Sequence, residues 1–209
     1  MKIKALAAAG LLALTAATGA SAAITGIGGS YAIIPDGDPA LADITNGSPA
    51  SNDDILAFNE QQGLDLVGSL SLDDVVINDR RISSHMILLN IADKEPNAPT
   101  RLSYSADFSF DGDILGVIST RRGLRLSAPV VGLVGTDYGD FRNIGLERND
   151  GYTITSANTL NVDFRVRQPG DWIRVITVAP VPVPAGAVLL PTALIAMGAM
   201  RRRKAKATA

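Results

Sequence analysis

The chain has no cysteine and, in 209 residues, one histidine and one tryptophan. Without thiols there is no disulfide framework, no thiol nucleophile and no cysteine-ligated zinc. A single imidazole excludes any mechanism that needs two. Lysine is almost missing from the middle of the sequence, where Lys94 stands alone, and glutamate is limited to Glu60, Glu95 and Glu147. The length allows one domain of ordinary size plus targeting segments.

The formal net charge of −2 hides a strong asymmetry. Lys2 and Lys4 open the chain, and Arg201, Arg202, Arg203, Lys204 and Lys206 close it. With seven of the 19 basic residues at the ends, the middle holds 12 against 21 acidic, a net charge of −9. A domain so acidic repels phosphate backbones, which argues against nucleic-acid binding. It favours solubility and suits a calcium-containing exterior.

Both ends read as addresses. Lys2 and Lys4 precede a Leu/Ala-rich run from Ala5 to Ala17, and Ala20-Ser21-Ala22 is a small-x-small cleavage site. That is the pattern of a secretory signal peptide over 1–22, exported by Sec machinery and cut by signal peptidase so that Ala23 begins the mature chain. The competing reading is an uncleaved anchor, but the apolar run is short for a span. At the other end, Val175 to Met200 carries no charge, and Arg201-Arg202-Arg203-Lys204 follows. Pro180, Pro182 and Pro184 exclude regular helix at the start of this stretch. A short transmembrane helix from about Ala185 to Met200 is expected, with the four cations as a cytoplasmic stop. A buried core helix is the alternative; it would be apolar all round and end in cations.

The motif Val181-Pro182-Val183-Pro184-Ala185, the short apolar helix and the terminal Arg cluster together resemble a PEP-CTERM-type sorting signal, in its VPLPA-CTERM variant. Val183 stands where that variant has Leu, Pro191 interrupts the helix, and Ala205 to Ala209 extend past the cations. The resemblance covers the segment 179–209. It implies a bacterial envelope protein, held transiently in the inner membrane and handed to an exosortase. That enzyme would cut near the Val-Pro motif and release or transfer the domain. The system accompanies exopolysaccharide and biofilm-matrix production. Ile55 to Gln61, Ser84 to Ile87 and Phe110 to Gly116 also resemble stretches of other VPLPA-CTERM secreted proteins. A stiff, extended Pro-rich motif suits cleavage just outside a bilayer, because it cannot join a helix.

Residues 23–178 are expected to form one extracytoplasmic all-β domain, an antiparallel β-sandwich or jelly roll. Leu160 to Arg167 alternates strictly, with Leu160, Val162, Phe164 and Val166 on one face. Gln168-Pro169-Gly170-Asp171 reads as a turn, and Trp172 to Val178 as the return strand of a hairpin. Leu102 to Phe110 places Tyr104, Ala106, Phe108 and Phe110 together. Further strands are expected at 55–58, 64–72, 75–77, 84–91, 114–119 and 151–154. A short helix fits between Leu124 and Leu133, limited by Pro129 and Gly132. The stretch Asp36 to Asp54 reads as an exposed loop.

Candidate chemistry is sparse. Asp36-Gly37-Asp38, Asp53-Asp54, Asp73-Asp74 and Asp111-Gly112-Asp113 concentrate hard oxygens that calcium favours, although none has EF-hand spacing. Asp111 and Asp113 are the preferred pair because apolar strands flank them; the bland reading is turn acids in Asx hydrogen bonds. His85 follows Ser83 and Ser84, but adjacent strand residues face opposite sides, so a hydrogen-bonded structural histidine is favoured over a Ser–His dyad. Trp172 is the candidate for stacking on sugar, against core packing at a strand end. Arg121, Arg122 and Arg125 read as a solvated face or as partners of the acids. The expectation is therefore a non-enzymatic structural or adhesive surface or matrix protein, sorted by an exosortase and associated with exopolysaccharide. A carbohydrate-binding module and a polysaccharide hydrolase using two carboxylates are the alternatives.

Overall fold

In the computed structural model, the described residues are 23–45, 47–91, 101–139, 144–167 and 170–180. The elements in chain order are β1 (Ile24–Gly29), β2 (Tyr31–Ile33), a 3-10 turn (Pro39–Ala42), β3 (Asp43–Ile44), β4 (Ile55–Asn59), β5 (Leu64–Ser71) and β6 (Val76–Leu89). They continue with β7 (Tyr104–Phe110), β8 (Ile114–Ile118), α1 (Arg121–Val131), β9 (Asp137–Tyr138), β10 (Gly151–Ser156), β11 (Thr159–Phe164) and β12 (Asp171–Val178). The protein is all-β with a single helix among the described residues.

Four strands form one sheet in the order β1-β7-β11-β10, all antiparallel. A second sheet runs β2-β4-β6-β12-β8, with β5 paired to the first half of β6. The inward residues of both sheets share one core. Ala106, Phe108 and Phe110 of β7 and Leu160, Val162 and Phe164 of β11 meet Ile87 and Leu89 of β6 and Ile173 and Val175 of β12. The strict alternation of β7 and β11 follows from this, because only one face of their sheet is covered.

The second sheet is covered on both faces. Its far side carries Leu56, Phe58, Met86, Leu88, Trp172 and Ile176, packed with Leu124 and Val131 of α1. Hence β12 is buried at seven of its eight positions and is mostly apolar, with Arg174 the charged exception within it. The helix starts at Thr120, whose hydroxyl accepts from the Gly123 N–H at 3.1 Å, and Gly132 ends it. Leu124, Ser127 and Val131, three to four residues apart, form its buried face.

Three expectations are corrected. The Leu160–Val178 hairpin does not form: β11 pairs with β7 and β10, whereas β12 pairs with β6 and β8 in the other sheet. Local turn chemistry at Gly170-Asp171 matched a hairpin, but one strand is buried on one face and the other on both, so they belong to different layers. Gln168 and Pro169 lie outside the described residues. The pairing is not purely antiparallel either, since β2 runs parallel to β4 and β3 parallel to β9. The stretch 36–54 is not a wholly exposed loop. Leu41 and Ile44 are core residues, and the Asn90 amide donates to the Thr45 and Pro49 carbonyls.

Among the described residues no helix is long and apolar enough to cross a membrane. The signal peptide expected at 1–22 and the transmembrane helix with its Val181–Ala185 motif and Arg201–Lys204 stop lie outside the described residues.

Candidate functional site

The densest polar arrangement lies where β12, the end of β4 and α1 converge. Arg174 projects from the α1-facing side of β12, and Glu60 follows β4; both side chains are completely buried. Arg174 Nε donates to Glu60 Oε2 at 2.6 Å and Nη2 to Oε1 at 2.7 Å, a two-pronged ion pair. Ser84 Oγ also donates to Oε2, at 2.6 Å, and the Tyr138 hydroxyl donates to Oε1. Arg174 Nη1 reaches the Leu124 carbonyl at 3.0 Å and the Ser127 hydroxyl. The guanidinium also lies over the Tyr138 ring, 5.3 Å from its centre.

Burial works to lower the Arg174 pKa, but the Glu60 charge and its hydrogen bonds outweigh it and hold the group above its usual range. Tyr138 is pushed upward by burial first and by the adjacent Glu60 charge second, so its hydroxyl keeps its proton. Each Glu60 oxygen accepts two hydrogen bonds. A carboxylate so saturated has no capacity left to shuttle a proton for a substrate. A cleft of about 330 Å³ opens beside this network, lined among the described residues by Met86, Leu124, Tyr138, Ile144, Trp172 and Arg174. Its lining is largely apolar but also includes Arg125, and the Arg174 charge is neutralised by Glu60.

His85 is fully buried in β6. Its Nδ1 is 2.9 Å from Asn59 Oδ1 and its Nε2 is 3.2 Å from Thr177 Oγ1. Because Asn59 Oδ1 can only accept, Nδ1 carries the proton and Nε2 accepts from the threonine. Burial pulls the His85 pKa down to about 3, so the ring is neutral. Ser84 is turned to Glu60 and Ser83 Oγ accepts from the Gly63 N–H, so no Ser–His dyad exists. The structural reading of His85 is the one the geometry supports.

Trp172 is 1% exposed, and its Nε1 donates to Asn90 Oδ1 at 2.8 Å. It packs with the α1-side core and also lines the cleft beside Arg174, so at this exposure it presents no open face to the surface.

Asp111-Gly112-Asp113 forms the turn between β7 and β8. Asp111 Oδ2 accepts from the Ala23 N–H at 2.9 Å, and the Asp111 N–H donates to the Ala23 carbonyl at 3.3 Å. The Asp113 carbonyl accepts from the Val178 N–H at 2.9 Å. This turn therefore fastens the first described residue and the last residue of β12. Among the described residues no group of three or more His, Asp or Glu side chains could hold a metal ion. Two of the remaining candidate acids hold backbone in place. Asp38 caps the 3-10 turn, and both Asp73 oxygens accept from the Ser119 N–H.

Sequence reasoning missed the Glu60–Arg174 pair. The signal that could have found it is the arginine itself, a charged residue in the otherwise apolar run Trp172 to Val178. A charge there must face a buried partner. Set beside known proteins, the chain matches no family model, no curated protein and no solved structure.

Proposed function

We propose that this chain is an exported bacterial cell-surface or extracellular-matrix protein. In this reading a β-sandwich cargo is delivered by a cleavable signal peptide and held in the inner membrane by its C-terminal helix. An exosortase then takes it over at Val181-Pro182-Val183-Pro184-Ala185. The chemistry belongs to the exosortase, and the cargo is structural or adhesive, in contact with exopolysaccharide.

The observation that carries this reading is the separation of charge and hydropathy: an acidic middle between two apolar, cation-flanked ends. The geometry of the domain is consistent with it. Ala23 and Val178, where the two address segments attach, are fastened to the same Asp111–Asp113 turn. The first described residue and the last residue of β12 are therefore held at one turn. The internal polar groups are engaged in holding layers together, which suits a cargo whose task is to persist rather than to turn over substrate.

The test is to replace Pro182 and Pro184 with alanine in the full chain, leaving Arg201 to Lys204 intact, and to fractionate the producing cells. The variant should accumulate in the inner membrane while the wild-type domain reaches the exterior. An unchanged distribution would contradict exosortase sorting. Retardation of the released domain in affinity electrophoresis through the producer's own exopolysaccharide tests the adhesive part, and free migration would remove it.

A further inference from the structure

The N-terminal edge of the domain is held atom by atom. The Ala23 N–H meets Asp111 Oδ2 at 2.9 Å, and the next N–H, that of Ile24, meets Asn59 Oδ1 at 3.3 Å. Asn59 Oδ1 is also the acceptor of His85 Nδ1, and His85 Nε2 continues to Thr177 of β12. Beyond these contacts β1 pairs along β7, from Ile24 opposite Phe110 to Gly29 opposite Ala106. The first two nitrogens after the expected cleavage point are thus each met by a side chain from a different element.

In the uncut chain the nitrogen of Ala23 belongs to a neutral amide. Signal peptidase would add water across the Ala22–Ala23 bond, leaving a carboxylate on Ala22 and an α-ammonium on Ala23. We propose that Asp111 is the receptor for this new terminus: cleavage replaces the neutral amide donor with a charged ammonium, so the contact to the same carboxylate becomes an ion pair that holds β1 onto the sheet. A secondary ligand-like contact is already in place, because Asn59 fixes the next residue and prevents the terminus from swinging away. Maturation would then tighten the fold at the pole from which the signal peptide has just departed. A carboxylate at hydrogen-bond distance favours the charged form of an amine. The proposal rests on the export reading, which supplies the cleavage.

The experiment uses the full chain expressed in an exporting bacterium and the mature product recovered outside the cells. Its N-terminus is identified by mass spectrometry. The α-amine is then labelled briefly with an acylating reagent at pH 7, with Lys94 as the internal reference. An ordinary α-amine titrates near pH 8, so ion pairing should slow its labelling about three- to fivefold. Asp111→Asn should abolish that protection, Asp111→Glu should retain part of it, and Asp113→Asn in the same turn should leave it unchanged. A product that begins at Ala23 but labels equally fast in wild type and Asp111→Asn overturns the receptor role and leaves the export reading intact. A product recovered outside the cells that begins at another residue overturns the receptor role alone, and one that is uncut overturns both.

Discussion

A guanidinium with no exposed surface must be neutralised and hydrogen-bonded, and Arg174 is both. Taking its charge and that of Glu60 out of water is costly, and the pair alone is weak evidence of net stability. Removing one partner is another matter, because the survivor is then buried without compensation. Glu60→Gln or Arg174→Met should each cost about 3–5 kcal/mol in denaturant unfolding. The double variant Glu60→Gln/Arg174→Met should cost less than the sum of the two, since the pair is coupled. Additive losses would mean that the contact carries no energy of its own. At the same scale, two buried groups shape the pH profile. Asp171 is raised to about 8, by burial first and by the charges of Asp150 and Glu147 after it. The unfolded chain releases that proton near 3.8, so between the two values the folded state holds the extra proton and loses stability as pH rises. His85 acts on the other flank: the unfolded ring takes up a proton below 6.5 and the folded ring only near 3, so stability falls as pH drops through that interval. Asp171→Asn should therefore narrow the difference in Tm between pH 5 and pH 8, while the acid flank set by His85 remains. A wild-type difference left unchanged by this substitution would show that Asp171 is not protonated in the fold.

At the scale of elements, the close approach of the β7–β8 turn to the end of β12 depends on a glycine. A Cβ on Gly112 would stand 1.9 Å from the Val178 carbonyl oxygen, which is backbone and cannot rotate away. Gly112→Ala should cost about 1–3 kcal/mol by forcing strand and turn apart. Gly151→Ala, where a Cβ meets nothing within 4 Å, is the matched control and should be near neutral. Equal effects of the two in thermal unfolding would contradict the clasp. What could be read from the sequence at this scale was set by one-faced burial. The alternation in β7 and β11 announced strands because a single face of their sheet is covered. Where burial is two-sided, as along β12, the run of apolar residues announced a strand but not its layer, and the neighbouring Pro-Gly signal pointed to the wrong partner. Short elements such as β3 and β9 carry two residues each and no periodicity at all; tertiary contacts through Leu41, Ile44 and Asn90 create them. The site was legible in part. His85 could be assigned from strand geometry, whereas Glu60 gave no local sign of its partner more than a hundred residues away.

At the scale of the whole molecule, charge and hydropathy divide the chain into two apolar, cation-flanked ends and an acidic middle that carries the fold. The described domain pairs the polar groups at its two termini and in its α1-side core. Asp111 takes the Ala23 nitrogen, Asp113 takes Val178, and Glu60 takes Arg174. Ala23, just before its first strand, and Val178, at the end of its last, are fastened at one turn. The most direct measurement is the intact mass of the protein recovered from outside the cells that make it. The account predicts a product that starts at Ala23 and has lost the Arg201–Lys204 cluster. An exterior protein that retains residues 1–22 and the basic tail, or no exterior protein at all, would contradict it.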